Sequence, residues 1–78
     1  MKIKTVYRIV ADIDPRYPEQ KVWNRITKLW EFKNEIDESE CVFHSKDVAF
    51  IELREAENAG KQLHRHRLVE DYVFNPAS

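Results

Sequence analysis

The stretch KDVAFIEL, residues 46–53, decides the fold that this sequence predicts. Its side chains alternate in character along the chain, which is the pattern of a half-buried β-strand. One side of such a strand would carry the Ala, Ile and Leu at positions 49, 51 and 53, and the other would carry Val48, Phe50 and Glu52. The first side can enter a core while the second meets solvent or a partner. We therefore expect a central strand here.

The chain before this stretch predicts a strand followed by a helix. Residues 2–13 are rich in β-branched and aromatic side chains and alternate with a period of two, as a strand does. Two prolines at positions 15 and 18 end that strand. From residue 18 to 34 the apolar spacing becomes helical, with Trp23 and Trp30 along one edge of the apolar stripe. Those two rings either seal the margin of the core or form a contact ridge.

The chain around and after the central stretch predicts a hairpin, a helix and a last strand. Residues 41–44 are apolar enough to pair with the central strand across a short turn. Residues 55–64 have helical composition, with acidic side chains in the first turn. Residues 67–74 favour a strand through their β-branched and aromatic content, the alternative being a continuation of the helix. We expect residues 75–78 to be a short flexible tail.

These elements define a single α+β domain over residues 1–78. Their order, β-α-β-β-α-β, is the ferredoxin-like arrangement, in which two helices cover one face of a four-stranded antiparallel sheet. The other face would be open, and Arg8 and Phe50 would lie on it. A chain of 78 residues, 42% hydrophobic and 35% charged, is a folded domain of marginal core size.

Composition also predicts where the protein works. No apolar run reaches membrane-spanning length and the N-terminus does not read as a signal peptide, so we expect a cytoplasmic protein that does not enter a membrane. The single cysteine, Cys41, cannot form an internal disulfide. The net charge of −1 conceals an acidic segment at residues 31–40 and a basic run at residues 61–67. Either patch could dock an oppositely charged partner.

The element order and the stretch at 46–53 resemble the RNA-recognition motif. Lys46, Ala49, Phe50 and Ile51 match the pattern of that family's third strand, whereas Asp47 and Val48 replace a glycine and a stacking aromatic. The resemblance implies a module that stacks bases on the open sheet face. The residues that would bind nucleic acid under this alternative are Arg8, Lys46, Phe50, Lys61, Arg65 and Arg67.

Metal binding and catalysis have weaker sequence support. Cys41 and His44 have the spacing of a zinc-ligand pair, and His64 and His66 could supply two more ligands if their segment were extended, which would suit a metal- or ligand-sensing regulatory domain. One glycine in the chain excludes a phosphate-cradling loop. Because no third group orients the pair of Cys41 and His44 as nucleophile and base, we expect a protein without enzymatic activity and without a cofactor.

Recognition of another protein is the function that the sequence favours. In size, charge and lack of a catalytic signature the chain resembles the accessory proteins of phages and prophages, including anti-CRISPR and other anti-defence inhibitors. The resemblance implies an inhibitor or regulator that occludes a site on a larger host protein. The protein would be a monomer or a homodimer. Its predicted contact residues are Trp23, Trp30, Phe50, Arg8, Glu35, Asp37 and Glu38.

Overall fold

A four-stranded antiparallel sheet and two helices make up the computed structural model, which describes residues 2–75. The strands are β1 (Lys2–Asp12), β2 (Gln20–Asn24), β3 (Leu29–Phe32) and β4 (His64–Asn75), and the helices are α1 (Glu38–Cys41) and α2 (Lys46–Ala59). The strands lie in the order β3-β2-β1-β4. The predicted α+β class and antiparallel sheet are confirmed. The predicted βαββαβ order is wrong, since the elements run β-β-β-α-α-β.

The stretch at 46–53 forms the first half of helix α2 and is not a strand. The Ser45 side chain caps the helix by accepting the Val48 N–H, and Asp47 lies in the first turn, where the helix dipole favours a carboxylate. Ala49 and Ala56 are fully buried and Leu53 packs beside them. These three positions repeat every three to four residues, so the helical period explains the burial. The helix predicted at 55–64 is the second half of α2, which ends at Ala59.

Residues 18–34 form a β-hairpin where a helix was predicted. Strands β2 and β3 pair in a register that sets Trp23 opposite Trp30, and β2 pairs with β1 through Val10 and Val22. The turn is held by the Asn24 side chain, whose Oδ1 accepts hydrogen bonds from the backbone N–H groups of Ile26 and Thr27. Lys28 closes the turn with a φ of 60°. Tertiary pairing of the two strands therefore overrides the helical spacing.

The strand predicted at 41–44 is reduced to a single bridge. Residues 38–41 form α1, which Asp37 caps by accepting the Ser39 N–H. Phe43 then pairs with Tyr7 on the edge of β1 that faces away from β4. This bridge fixes the point at which the chain leaves the sheet and enters α2.

The first and last strands lie close to their predicted positions. The strand predicted at 2–13 is β1, and the strand predicted at 67–74 is confirmed within β4, which begins earlier, at His64. The pairing of β4 with β1 shifts register between Arg67 and His64, where Arg65 has a φ of 53°, and this irregularity brings His64 opposite Asp12. Of the predicted tail, Asn75 ends β4, and residues 76–78 lie outside the described part of the chain.

The two faces of the sheet carry separate hydrophobic clusters. On the helix face, α2 covers a cluster built around Ile9, Trp23 and Phe43. On the other face, named here the Arg8 face, residues 36–42 cover Val6, Val10 and Val22. The face predicted to be open is therefore covered at its centre. Neither helix within residues 2–75 combines the length and the apolar character needed to cross a bilayer.

Candidate protein-binding surface

The predicted tryptophan ridge belongs to the core beneath α2. Trp23 is completely buried, and its Nε1–H donates to Glu52 at 3.2 Å. Trp30 is half-buried, donates to the Ala56 carbonyl at 2.9 Å and meets Trp23 edge to face with the ring centres 5.5 Å apart. Both indole N–H groups thus anchor the sheet to the helix. Trp23 has no exposed surface to offer a partner, and Trp30 has only its outer edge.

Gly60 and His66 complete this packing at the end of α2. A Cβ at position 60 would lie 2.8 Å from Cδ1 of Trp30 and closer still to its Nε1, so the ring occupies the space that any larger residue would need. His66 packs against the same ring at 5.7 Å between centroids. Its Nε2 lies 2.6 Å from the Gly60 carbonyl, which can only accept, so Nε2 carries the proton. The one glycine of the chain is therefore explained by close approach.

Phe50 and Lys46 lie on α2, which removes the basis of the nucleic-acid resemblance. Both are exposed, Phe50 with 57% of its surface accessible. Base stacking in RNA-recognition motifs uses aromatic rings on a flat sheet surface. A ring on a helix has no such neighbouring strands. Nucleic-acid binding by the basic residues stays a prediction, without the strand that suggested it.

The basic run is partly neutralised by a buried carboxylate. Asp12 is 7% exposed, and it pairs with Arg67 at 3.3 Å and with Arg65 at 3.6 Å. Lys61 and His64 are exposed nearby in sequence. The two arginines of the run therefore hold the start of β4 against the end of β1, and only part of their charge faces solvent.

Arg8 lies on the floor of a cavity of about 310 Å³ on the Arg8 face. Its guanidinium pairs with the carboxylates of Asp71, at 3.0 Å, and of Glu38. Both carboxylates that neutralise Arg8 therefore line the same cavity. Cys41 lines the same cavity and donates to the Glu38 carbonyl at 3.4 Å. Burial raises the pKa of the Cys41 thiol, although Arg8 acts in the opposite direction. A protonated, buried thiol is a poor nucleophile and a poor metal ligand.

The acidic segment forms local contacts and exposed charge. Asp37 and Glu35 are exposed, as is Glu38 apart from its pairing with Arg8. Hydrogen bonds from the Ser39 N–H and hydroxyl lower the pKa of the Asp37 carboxyl, which is the physical signature of its capping role. Arg25 fastens this segment to the β2–β3 turn by donating to the carbonyls of Val42 and Ser39, at 3.1 and 2.8 Å.

The four predicted metal-ligating residues do not converge. Cys41 is buried on the Arg8 face, His44 is exposed in the loop before α2, and His66 is held by Gly60 and Trp30. His64 is exposed at the start of β4. Over residues 2–75, no three His, Cys, Asp or Glu side chains are grouped so that they could hold a metal ion.

Several exposed apolar side chains that the sequence did not single out gather at one end of the molecule. Strands β1 and β4 run on past the rest of the sheet as a two-stranded ribbon, in which Ile3 lies opposite Phe74 and Thr5 opposite Tyr72. Ile3, Tyr72 and Phe74 are 66%, 63% and 68% exposed. The sequence carried no signal for this surface, because the exposure of these side chains follows from the register of β1 and β4.

The first half of α2 carries further exposed apolar side chains. Because Phe43 bridges Tyr7 and α2 begins three residues later, the helix starts next to the ribbon. Val48, Phe50 and Ile51 in that half are all more than half exposed. These three side chains are a separate group, since Val48 lines a surface depression with Arg25 and Glu52 on the side of α2 toward the β2–β3 turn. We name Ile3, Tyr72 and Phe74 on the ribbon the ribbon end.

Comparison of the chain with protein-family models, with curated proteins and with solved structures finds no match.

Proposed function

We propose that this chain is a small non-enzymatic protein that binds a larger protein and acts by covering a site on it. The observation that carries the proposal is the ribbon end, where three large apolar side chains on neighbouring positions of β1 and β4 are exposed together. A contiguous exposed apolar patch on a small domain is characteristic of a protein-interaction site. Origin from a phage, and a host defence protein as the target, stay predictions made from the sequence.

The composition of the ribbon end supports a protein as the partner. Aromatic side chains are enriched among the residues that dominate binding energy at interfaces, and Tyr72 and Phe74 are of this kind. Exposed charged residues of both signs lie near them on the ribbon, with Glu70 and Asp71 on β4 and Lys2 and Lys4 on β1. An apolar centre with a mixed polar rim is the usual anatomy of a protein interface.

The position of the ribbon end also suits occlusion. The ribbon projects beyond the covered part of the sheet, and the molecule is elongated, at 41 Å by 25 Å by 19 Å. A projecting two-stranded ribbon can enter a groove that a flat surface could not reach. The side chains on its helix face would then fill the groove, while the rest of the domain blocks access to it.

The experiment compares two tyrosines of equal exposure. Tyr72 in the ribbon end is 63% exposed, and Tyr17 in the β1–β2 loop is 61% exposed. Tagged protein would be used to capture partners from a lysate of the organism that encodes it, with Tyr72→Ala, Phe74→Ala and Tyr17→Ala as variants. We expect one large protein with the wild type and with Tyr17→Ala, and its loss with the two ribbon variants at unchanged melting temperature. Equal recovery by all three variants would refute the proposed surface.

A further inference from the structure

The cavity on the Arg8 face lies between the sheet and the segment that covers it. Strands β1 and β2 form its floor, residues 36–41 form its roof, and β4 forms one wall. We name it the Arg8 cavity. Its volume of about 310 Å³ is near the lower limit of ligand-binding pockets, which begin at roughly 300 Å³. It could therefore enclose a small molecule, and it is separate from the ribbon end.

The strand register gives the order of the side chains along the floor. Gln20 lies opposite Asp12, and Val22 lies opposite Val10, the neighbour of Asp12 on the same face of β1. Arg8 follows Val10 on that face, four residues from Asp12, which is roughly 14 Å at about 3.4 Å per residue. The floor therefore runs from a polar end at Gln20, over two valines, to a polar end at Arg8.

The centre of the Arg8 cavity is apolar. Val10 and Val22 are buried beneath it, and Ile36 and Cys41 cover them from the roof. Val69, which lies opposite Arg8 on β4, forms the wall. An apolar space of this kind holds hydrocarbon in preference to water. The centre thus suits the hydrocarbon part of a ligand.

The two ends of the cavity differ in whether their polar groups already have partners. At the first end, the Arg8 guanidinium is neutralised by the carboxylates of Glu38 and Asp71. At the other end, Lys33 lines the cavity beside the half-buried Gln20. Among residues 2–75 the Lys33 ammonium has no carboxylate within 4.0 Å. A free cation and an amide donor therefore lie at this end alone.

We propose that the Arg8 cavity binds a small straight-chain carboxylate. The carboxylate accepts hydrogen bonds from Nζ of Lys33 and Nε2 of Gln20, and the hydrocarbon chain lies over Val10 and Val22. An ion pair supported by an amide hydrogen bond, next to an apolar pocket, is the usual way in which a protein orients such a ligand.

The charges at the far end fix the direction of the ligand. Glu38 and Asp71 share the single guanidinium of Arg8, so that end carries a net negative charge and repels a carboxylate. It is roughly 14 Å from Gln20 along the sheet, beyond the Debye length of about 8 Å at physiological salt, so it opposes binding at Lys33 only weakly. Gln20 and Lys33 also border an open depression, through which the ligand can enter.

A titration with octanoate, followed by nuclear magnetic resonance, tests the site. At millimolar concentration octanoate should shift the amide resonances of Val10, Val22 and the Gln20 side chain. Those of Tyr72 and Phe74 at the ribbon end should stay in place. Absence of any shift, or shifts confined to the ribbon end, would overturn the proposal.

Octylamine is the probe of opposite charge. Its ammonium would be attracted to Glu19 and Glu35, which are exposed in the depression outside the cavity, and repelled by Lys33. It should therefore bind more weakly than octanoate at the amides of Val10 and Val22. Binding of octylamine at these amides as tight as that of octanoate would overturn the assignment of a carboxylate.

Two lysine variants test the ion pair. Lys33→Gln should weaken octanoate binding by about fivefold and leave the binding of uncharged octanol unchanged. Lys46→Gln removes an exposed lysine from α2, on the other face of the sheet, and should bind octanoate as the wild type does. Equal affinities of the two variants for octanoate would overturn the role of Lys33.

Two valine variants test the apolar centre. Val69 and Val73 lie on the same face of β4, but only Val69 lines the Arg8 cavity. Val69 is 36% exposed, so a larger side chain can be accommodated there without loss of the fold. Val69→Phe should fill the cavity and weaken octanoate binding by about tenfold or more, whereas Val73→Phe should not. Unchanged binding by a folded Val69→Phe protein would overturn the site; if this variant does not fold, the lysine pair decides.

Discussion

The two ends of the sheet use their aromatic side chains in opposite ways. At the end where α2 finishes, Trp30, Gly60 and His66 interlock, and Asp12 binds two arginines beside them. At the ribbon end, Tyr72 and Phe74 are exposed to solvent. The first end, named here the Gly60 end, fastens helix to sheet. The residues that stabilise this domain and the residues free to bind a partner therefore lie at different ends.

The largest expected effect is at the centre of the helix face, toward the Gly60 end. Trp23→Ala would remove a completely buried ring and the hydrogen bond to Glu52, at a cost of about 3–5 kcal/mol in the free energy of unfolding. For a small domain this cost is a large share of the total stability. Urea denaturation followed by circular dichroism measures it. A loss below about 1 kcal/mol would contradict the placement of Trp23 in the core.

Gly60→Ala adds a single methyl group at the Gly60 end. The new Cβ must displace the Trp30 ring, which also carries the hydrogen bond to Ala56. Overpacking of this kind costs about 1–3 kcal/mol. Asn58→Ala, at an exposed site of α2, serves as the control and should leave the urea midpoint close to that of the wild type. A Gly60→Ala protein as stable as this control would show that Trp30 does not occupy the space.

Cys41 gives a smaller effect that depends on pH. Burial raises the pKa of its thiol, so the folded state holds its proton to a higher pH than the unfolded state does. The contribution to stability is therefore complete below the ordinary pKa of 9.0 and is lost as the pH rises through the folded-state pKa. Melting temperatures at alkaline pH should fall more steeply for the wild type than for Cys41→Ala. Parallel curves for the two proteins would contradict the burial.

The smallest effect on stability is expected at the ribbon end. Ile3 and Phe74 lie opposite each other and are about two-thirds exposed, so Ile3→Thr or Phe74→Thr should change the free energy of unfolding by no more than about 0.5 kcal/mol. The same variants should lower the fluorescence of a dye that binds exposed apolar surface. A loss of stability comparable with that of Gly60→Ala would show that these side chains belong to the core.

The sequence predicted the outer parts of the chain better than its middle. Strands β1 and β4 are recognisable because β-branched residues alternate along them with no competing pattern. The stretch at 46–53 is ambiguous, since its buried Ala49 and Leu53 are four residues apart, which satisfies both the period of two and the helical period. The N-cap at Ser45, and the continuation of the buried helical stripe to Ala56, favour the helix.

The β2–β3 hairpin and the ribbon end could not be predicted from the sequence, for related reasons. Trp23 and Trp30 are seven residues apart, a separation that is one helix face and equally a cross-strand pair about a four-residue turn. Which of the two forms depends on the pairing of β2 with β1, which the spacing within residues 18–34 does not show. Of the predicted contact residues, Phe50 is exposed on α2. Tyr72 and Phe74, which the sequence did not single out, are recognisable as surface only once the register of β1 and β4 is known.

Site-specific photo-crosslinking from the two matched tyrosines tests whether the ribbon end is the partner-binding surface. A benzophenone amino acid would replace Tyr72 in one protein and Tyr17 in another, and each would be irradiated in cells that contain the natural partner. The proposed surface predicts a crosslinked product of one large protein from position 72 and none from position 17. Crosslinks from position 17 to that protein, with none from position 72, would contradict the assignment of the ribbon end as the binding surface.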